Sequence, residues 1–130
     1  MPLAIARPDL EVHLVEPRGR RVAFLELVVE SLGLRNAAVV PARAQEASLS
    51  VGGCVARALA PAEQAWNLCE PLLLPGGFVL YWAGRSWDRA NASRLMKMGL
   101  DVEVCDPASE VWPGSVLKMS RIVDSEPAAP

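Results

Sequence analysis

The sequence predicts an α/β fold with a doubly wound, mainly parallel sheet, and three observations support this prediction. Helix-period segments alternate with short runs rich in β-branched residues along most of the chain. One of these runs, residues 78–82, is continuously apolar, which is typical of a parallel strand covered on both faces. The last two predicted strands have no helix between them, so we expect them to form an antiparallel C-terminal hairpin.

The first part of the chain predicts two helices and two strands. In chain order these are a helix over 2–7 that stops at Pro8, a strand over 10–16, a helix over 20–32 and a strand over 37–40. The second helix is predicted from apolar residues at three- and four-residue spacing, namely Val22, Leu25, Val29 and Leu32. Gly33 follows at the position of a C-cap.

The second part predicts four strands and two helices. They are a strand over 51–59, a helix over 62–74, a strand over 78–82, a helix from Ser86 or Trp87 to about Met98, and strands over 101–105 and 116–123. Pro71 is expected to kink the first of these helices or end it early. Residues 75–77, Pro-Gly-Gly, predict a turn. We expect one domain over residues 1–124 and a disordered tail over 125–130.

Composition and charge exclude several classes of protein. The net charge of -2 excludes binding to nucleic acid by overall charge alone, although a small local RNA-binding patch is compatible with it. The three cysteines are widely spaced and form no CxxC pair, so we expect buried thiols in a reducing compartment and no metal site: Cys54, Cys69 and Cys105. The N-terminus lacks a signal-peptide pattern and no apolar run approaches about 20 residues, which predicts a cytoplasmic protein without a membrane span.

Candidate ligand-binding residues lie where the predicted strands end, because open parallel sheets bind ligands at the carboxyl ends of their strands. Glu16 ends the first predicted strand, where a carboxylate can accept hydrogen bonds from both hydroxyls of a ribose. The alternative is a solvated acid. Arg57 lies in an apolar stretch and either faces a ligand or forms a buried ion pair.

A cluster of basic residues lies at the start of the helix over 20–32. Arg18, Arg20 and Arg21 oppose the helix dipole there unless an anion compensates for them. They indicate either contact with a nucleic-acid backbone or a solvated basic turn. The lone His13 has no nearby Ser, Cys or Asp arrangement that would make it a base, and the chain contains no GxGxxG motif.

Five short segments in register resemble the bacterial 16S ribosomal RNA guanine-N7 methyltransferases, known as RsmG or GidB. The similarity extends from residue 2 to about residue 85. The segments are Pro-Leu-Ala-Ile-Ala-Arg-Pro-Asp-Leu (2–10), Leu-Val-Glu-Pro (14–17), Gly-Arg-Arg-Val-Ala-Phe-Leu (19–25), Ala-Arg-Ala-Gln-Glu (42–46) and Ala-Arg-Ala (56–58).

This resemblance implies a class I, Rossmann-like fold that uses S-adenosylmethionine and methylates N7 of a guanine in the 530 loop of 16S rRNA, either free or in a small-subunit precursor. It implies cofactor contacts at Glu16, Ala44, Gln45 and Arg57. It also implies RNA contacts at Arg20 and Arg21, and Arg18 of the same basic cluster is predicted with them as an RNA-binding residue. No catalytic acid–base pair is implied, because the N7 lone pair is available without a general base. No metal site is expected, because a single histidine cannot build one.

The sequence departs from the family pattern in two ways that bear on the cofactor. The family's first strand and Gly-rich loop are not among these 130 residues, and Gln45 stands where the family usually has an acid. Two alternatives follow. One is a catalytically inactive, truncated module that binds RNA or a protein, and the other is a methyltransferase that acts on a small molecule.

Overall fold

The computed structural model describes residues 1–84, 87–105 and 114–123. Its elements in chain order are α1 (Pro2–Ala6), β1 (Val12–Val15), α2 (Gly19–Ser31), β2 (Ala37–Val40), β3 (Val51–Arg57), α3 (Ala62–Cys69), β4 (Leu73–Trp82), α4 (Arg89–Lys97), β5 (Leu100–Cys105) and β6 (Val116–Arg121), with 3-10 turns at Ala44–Glu46 and Glu70–Leu72. The chain divides into two compact units, Met1–Ser48 and Leu49–Pro130.

The first unit is a strand–helix–strand crossover. Strands β1 and β2 pair in parallel from Val12 opposite Ala37 to Val15 opposite Val40, and α2 connects them. A crossover helix is the usual way to join two neighbouring parallel strands. The parallel pairing predicted for the start of the chain is therefore confirmed.

The side-chain amide of Asn36 joins α1 to the start of β2. It donates to the carbonyl oxygens of Ala4, Arg7 and Leu10 at 2.9, 3.2 and 3.0 Å. Ala4 lies in α1, where the last carbonyls of the helix lack intrahelical partners, and Arg7 and Leu10 lie in the segment that follows it. The Asn36 amide thus supplies a hydrogen-bond donor to the C-terminal end of α1 and holds the segment that leads into β1.

Helix α2 matches the predicted helix except at its C-terminal end. Val22 is buried, and Leu25 and Val29 are half-buried, as the apolar spacing predicts. Leu32 is 53% exposed, so its predicted place on the buried face is wrong. The helix ends at Ser31, and Gly33 follows with a φ of +60°, so Leu32 lies in the cap rather than on the apolar stripe.

The second unit is a four-stranded mixed sheet in the order β3-β4-β6-β5. Strands β3 and β4 are parallel, while β6 runs antiparallel to both β4 and β5. The predicted C-terminal hairpin is confirmed. Its core combines α3 and α4 with the sheet, and its largest fully buried side chains are Trp66, Val79, Leu95, Leu100, Leu117 and Met119.

The predicted turn at residues 75–77 is wrong, because these residues lie inside β4. Val51 pairs with Leu73 but Gly53 pairs with Phe78, so the extra residues of β4 form an irregularity beside β3. Gly76 has a φ of +77° there, a conformation that glycine adopts at little cost. The glycines therefore permit a bulge in the strand rather than ending it.

Helix α3 is shorter than predicted, and Pro71 explains the difference. The helix ends at Cys69, and Glu70–Leu72 forms a 3-10 turn with the proline in its first turn. The expectation that Pro71 ends the helix early is confirmed. Helix α4 begins at Arg89, after Asp88 caps it by accepting from the Asn91 backbone N–H.

The cysteines differ in exposure. Cys69 is buried and Cys54 half-buried, but Cys105 is exposed, so the prediction of a buried thiol is wrong for Cys105. It ends the edge strand β5, which has a neighbour on one side only. In the part of the chain that the structure describes, no helix is long and apolar enough to cross a membrane, and no cluster of potential metal ligands is found. Ser86 and the predicted tail at 125–130 lie outside the described residues.

Candidate functional site

The carboxyl edge of the first unit brings together three of the predicted cofactor residues. Glu16 directly follows β1, and its backbone N–H donates to the carbonyl of Val40, the last residue of β2, at 3.1 Å. After β2 the chain enters the 3-10 turn Ala44–Glu46. Ala44 is half-buried and Gln45 is exposed. Glu16 and this turn therefore belong to the edge where parallel sheets bind ligands.

The Glu16 carboxylate is held in place by two groups of the following segment. Its Oε1 accepts from the backbone N–H of Arg18 at 2.9 Å, and its Oε2 lies 3.7 Å from Nη1 of Arg21. The side chain is 18% exposed. A carboxylate oxygen has two lone pairs, so both oxygens retain the capacity to accept a hydrogen bond from a ligand.

The basic cluster lies in the same unit, at the start of α2. Arg18 is the N-cap, Arg20 and Arg21 lie in the first turn, and all three are exposed. The first turn contains no acidic residue. Among the residues that the structure describes, the guanidinium groups of Arg18 and Arg20 form no ion pair, whereas Arg21 pairs with Glu16. The guanidinium groups of Arg18 and Arg20 are thus available to an external anion at the start of this helix.

Arg57 belongs to the second unit. It is the last residue of β3, lies opposite Trp82 in the parallel pair, and is exposed. Its exposure removes the alternative of a buried ion pair. Arg57 is therefore at the carboxyl end of a parallel strand, as the sequence predicts, but in a different unit from Glu16, Ala44 and Gln45.

A cavity of about 470 Å³ lies at the carboxyl ends of β3 and β4. Its wall includes the loop over residues 58–61, in which Ala58 has a φ of +52°. That left-handed conformation costs a non-glycine residue about 1–2 kcal/mol and is found preferentially at functional sites. The Tyr81 hydroxyl donates to the Ala60 carbonyl at 3.0 Å and holds this loop against β4.

The polar and aromatic groups of this cavity were not predicted from the sequence. They are Glu63 from the first turn of α3, Trp87 from the segment before α4, and Asn91 and Arg94 from α4. The available signal was the spacing of Asn91 and Arg94, which puts both on one face of a helix that begins beside a strand end. Glu63 gave no signal, because an acid in the first turn of a helix is common for electrostatic reasons.

Residues 1–101 match the GidB family, rRNA small subunit methyltransferase G. This chain belongs to that family. The match covers most of the sequence and confirms the resemblance seen in its motifs.

Relatives described as ribosomal RNA small subunit methyltransferase G support the same assignment. The one from Acidothermus cellulolyticus is 43% identical over 100 residues, covering 75% of this chain and 45% of the relative. The one from Salinispora tropica is 43% identical over 143 residues, covering 98% of this chain and 59% of the relative. The chain thus spans about half the length of these GidB relatives.

Solved structures share the fold. A precorrin-6y C5,15-methyltransferase from Geobacter metallireducens aligns with a TM-score of 0.66 and 15% identity, covering 91% of this chain and 72% of that structure. A variant of MtNAS in complex with S-adenosylmethionine aligns with a TM-score of 0.67 and 17% identity, covering 91% of this chain and 49% of that structure. The predicted Rossmann-like methyltransferase fold is confirmed for this GidB-family chain.

Proposed function

We propose that this chain is part of an S-adenosylmethionine-dependent methyltransferase that acts on N7 of a guanine in the 530 loop of 16S rRNA, with the RNA or a small-subunit precursor as its partner. The observation that best supports the proposal is the position of Glu16 in a GidB-family chain. Its carboxylate is mostly buried and lies at the carboxyl edge of a parallel strand pair. That is the position from which an acid recognises a ribose.

The residues of the first unit fit the nucleoside part of the cofactor. Glu16 would accept hydrogen bonds from the ribose hydroxyls, because Arg18 and Arg21 leave acceptor capacity on both carboxylate oxygens. Ala44 and Gln45 would lie along the adenine, where the Gln45 amide can donate or accept a hydrogen bond without a charge. S-adenosylmethionine supplies an electrophilic methyl group. We propose that Arg57 is a further cofactor contact.

The chain's contribution to the reaction is positioning. Guanine N7 has a free lone pair, so no residue is required to remove a proton from it. This agrees with the lack of an acid–base pair among the predicted site residues. Arg18 and Arg20 would hold phosphates of the RNA, since their guanidinium groups are exposed and the helix start favours anions.

Calorimetric titration with S-adenosylmethionine tests the cofactor site. We expect Glu16→Gln to weaken binding about tenfold or more, because a charged acceptor of ribose hydroxyls is replaced by a neutral one. Arg57→Ala is expected to weaken it as well. Glu26→Gln and Arg35→Ala remove exposed charges elsewhere and should leave the affinity unchanged.

Two results would contradict the proposal. One is equal affinity in the parent chain and Glu16→Gln, and the other is no saturable binding by a chain that circular dichroism shows to be folded. The second result would favour the alternative of a module that binds RNA or protein without catalysis. If binding is found, formation of 7-methylguanosine in small-subunit RNA is the next measurement.

The RNA contacts have a separate test. Replacing both Arg18 and Arg20 with Gln should weaken binding to a 530-loop RNA hairpin. It should also reduce the slope of log K against log salt concentration by the equivalent of about one to two phosphate contacts. Replacing Arg35 and Arg43, which are also exposed, serves as the matched control. An unchanged salt dependence in the double variant would show that these arginines are only a solvated turn.

A further inference from the structure

The cavity at the ends of β3 and β4 combines a planar aromatic group with a carboxylate and a guanidinium. Trp87, Glu63 and Arg94 all line it. Its volume of about 470 Å³ is within the usual range of roughly 300–1,000 Å³ for small-molecule sites. Aromatic walls favour flat ligands, because every nucleobase has a face that stacks on an indole ring. The cavity therefore suits a single nucleobase.

The carboxylate of Glu63 indicates which nucleobase the cavity selects. It is half-buried, and no hydrogen bond or ion pair of its carboxylate is found within the described ranges 1–84, 87–105 and 114–123. An ionised carboxylate is an acceptor on both oxygens and has no donor. A ligand with two adjacent donors can pair with both oxygens of this carboxylate at once.

Guanine is the RNA base that presents such a pair. Its N1–H and 2-amino group lie side by side and match a bidentate carboxylate, whereas adenine presents an acceptor at N1. Uracil has a single N–H between two carbonyls, and cytosine has an acceptor next to its amino group. Guanine N7 lies on the opposite edge of the purine. A carboxylate that holds the N1 edge thus leaves the N7 lone pair unoccupied.

Arg94 and Tyr81 support this arrangement from two sides. Arg94 lies in the last turn of α4, is exposed, and supplies a positive charge for the phosphate of a nucleotide. Tyr81 holds the loop over 58–61 through its bond to Ala60, so that wall of the cavity has a defined backbone. The strained Ala58 belongs to the same wall.

We infer that this cavity receives the guanine that is to be methylated and that Glu63 is the specificity-determining residue that selects it. The inference rests on the proposed function and assigns the base-recognition step to residues of the second unit. Trp87 stacks on the base, and Glu63 binds its N1–H and 2-amino group.

Nucleotide titrations of the whole chain, followed by NMR, test the inference with GMP, IMP and AMP as probes at millimolar concentration. The parent chain should bind GMP about tenfold more tightly than AMP, with IMP between them because it lacks the 2-amino group. Glu63→Gln should abolish the difference between GMP and AMP. Glu103→Gln, an exposed acid on β5 of the same unit, should retain it. Trp87→Leu should weaken all three nucleotides alike.

A parent chain without a preference for GMP, a parent chain that binds none of the three nucleotides, or a folded Glu63→Gln variant that keeps the preference would each overturn the inference. A purely structural role of Glu63 at the start of α3 would change stability but not base selectivity. The same samples are titrated with S-adenosylmethionine, whose affinity should be unaffected by Glu63→Gln. A chain that selects guanine but does not bind S-adenosylmethionine would overturn the proposed function without contradicting the base site.

Discussion

At the scale of single residues, Glu16 combines a structural and a proposed ligand-binding role. Its contacts with Arg18 and Arg21 order the segment between β1 and α2, and they also hold the carboxylate in place at the sheet edge. The hydrogen bond that the carboxylate accepts from the Arg18 backbone N–H is charge-assisted, and such bonds are about twice as strong as neutral ones. A loss of ligand affinity in Glu16→Gln must therefore be compared with the stability of that variant, which is measured by circular dichroism.

The thiols of Cys54 and Cys69 form a second residue-scale feature. A hydrogen bond from the Cys69 thiol lowers the pKa of Cys54 below its ordinary value despite partial burial. The same bond, together with burial, raises the pKa of Cys69. Cys54 is thus the more reactive member of the pair, because the thiolate is the nucleophile.

We predict that removing this hydrogen bond shifts the reactivity of Cys54. In a Cys105→Ser background, the midpoint of the pH dependence of Cys54 alkylation should move to higher pH when Cys69 is replaced by Ala, since the thiolate loses its donor. The midpoint is measured because, unlike the alkylation rate, it does not depend on how accessible the Cys54 thiol is to the reagent. Cys105 itself, alkylated in a Cys54→Ser background, is the control and should not respond to Cys69→Ala. An unchanged Cys54 midpoint would contradict the prediction.

At the scale of elements, the irregular start of β4 depends on glycine. Gly76 has a φ of +77°, whereas Gly52 on the neighbouring strand does not have a left-handed backbone, and both have open space where a Cβ would be. We predict that Gly76→Ala destabilises the fold by about 1–2 kcal/mol. Gly52→Ala should be neutral or stabilising by up to about 1 kcal/mol. Equal free energies of unfolding in urea for the two variants would be evidence against a required left-handed residue in β4.

The same elements show what the sequence can predict. Apolar spacing, β-branched runs and prolines predicted each α-helix and strand that the structure describes, but the first half of β4 was predicted as a helix end and a turn. The bulge at residues 75–77 was mistaken for a turn, since Pro-Gly-Gly favours both and only pairing with β3 distinguishes them. Leu32 was misplaced because a helix end, and not the apolar pattern, decides which side chains face the core.

The site was predictable to a different degree in each unit. Glu16, Ala44 and Gln45 follow from strand ends and from family motifs, and the structure brings them to one sheet edge. The cavity residues Glu63 and Arg94 lie on two helices far apart in the sequence, so no local pattern joins them. Their association depends on the tertiary packing of α3 and α4.

At the scale of the whole molecule, buried apolar side chains are distributed unequally between the units. In the described part of the chain, the first unit buries Ala4 and Val22, while the second contains a continuous cluster that includes Trp66, Leu117 and Met119. Local stability follows the density of such packing. We predict that backbone amides of β4 and β6 exchange with deuterium more slowly than those of β1 and β2. Equal protection of the two units would contradict this prediction.

Ligand binding extends this prediction to the proposed site. A ligand that binds the folded state stabilises it by RT ln(1 + [L]/Kd), and the gain is greatest where local opening is easiest. We therefore expect S-adenosylmethionine to slow exchange in residues 12–16 and 37–46, because Glu16 and the turn at Ala44–Glu46 belong to the less stable unit. The amides of β6, already held by the larger core, should change little. At the same ligand concentration, the effect on residues 12–16 should be smaller in Glu16→Gln and unchanged in Glu26→Gln. Slower amide exchange confined to β6 would show that the ligand binds away from this sheet edge. It would contradict the proposed cofactor site.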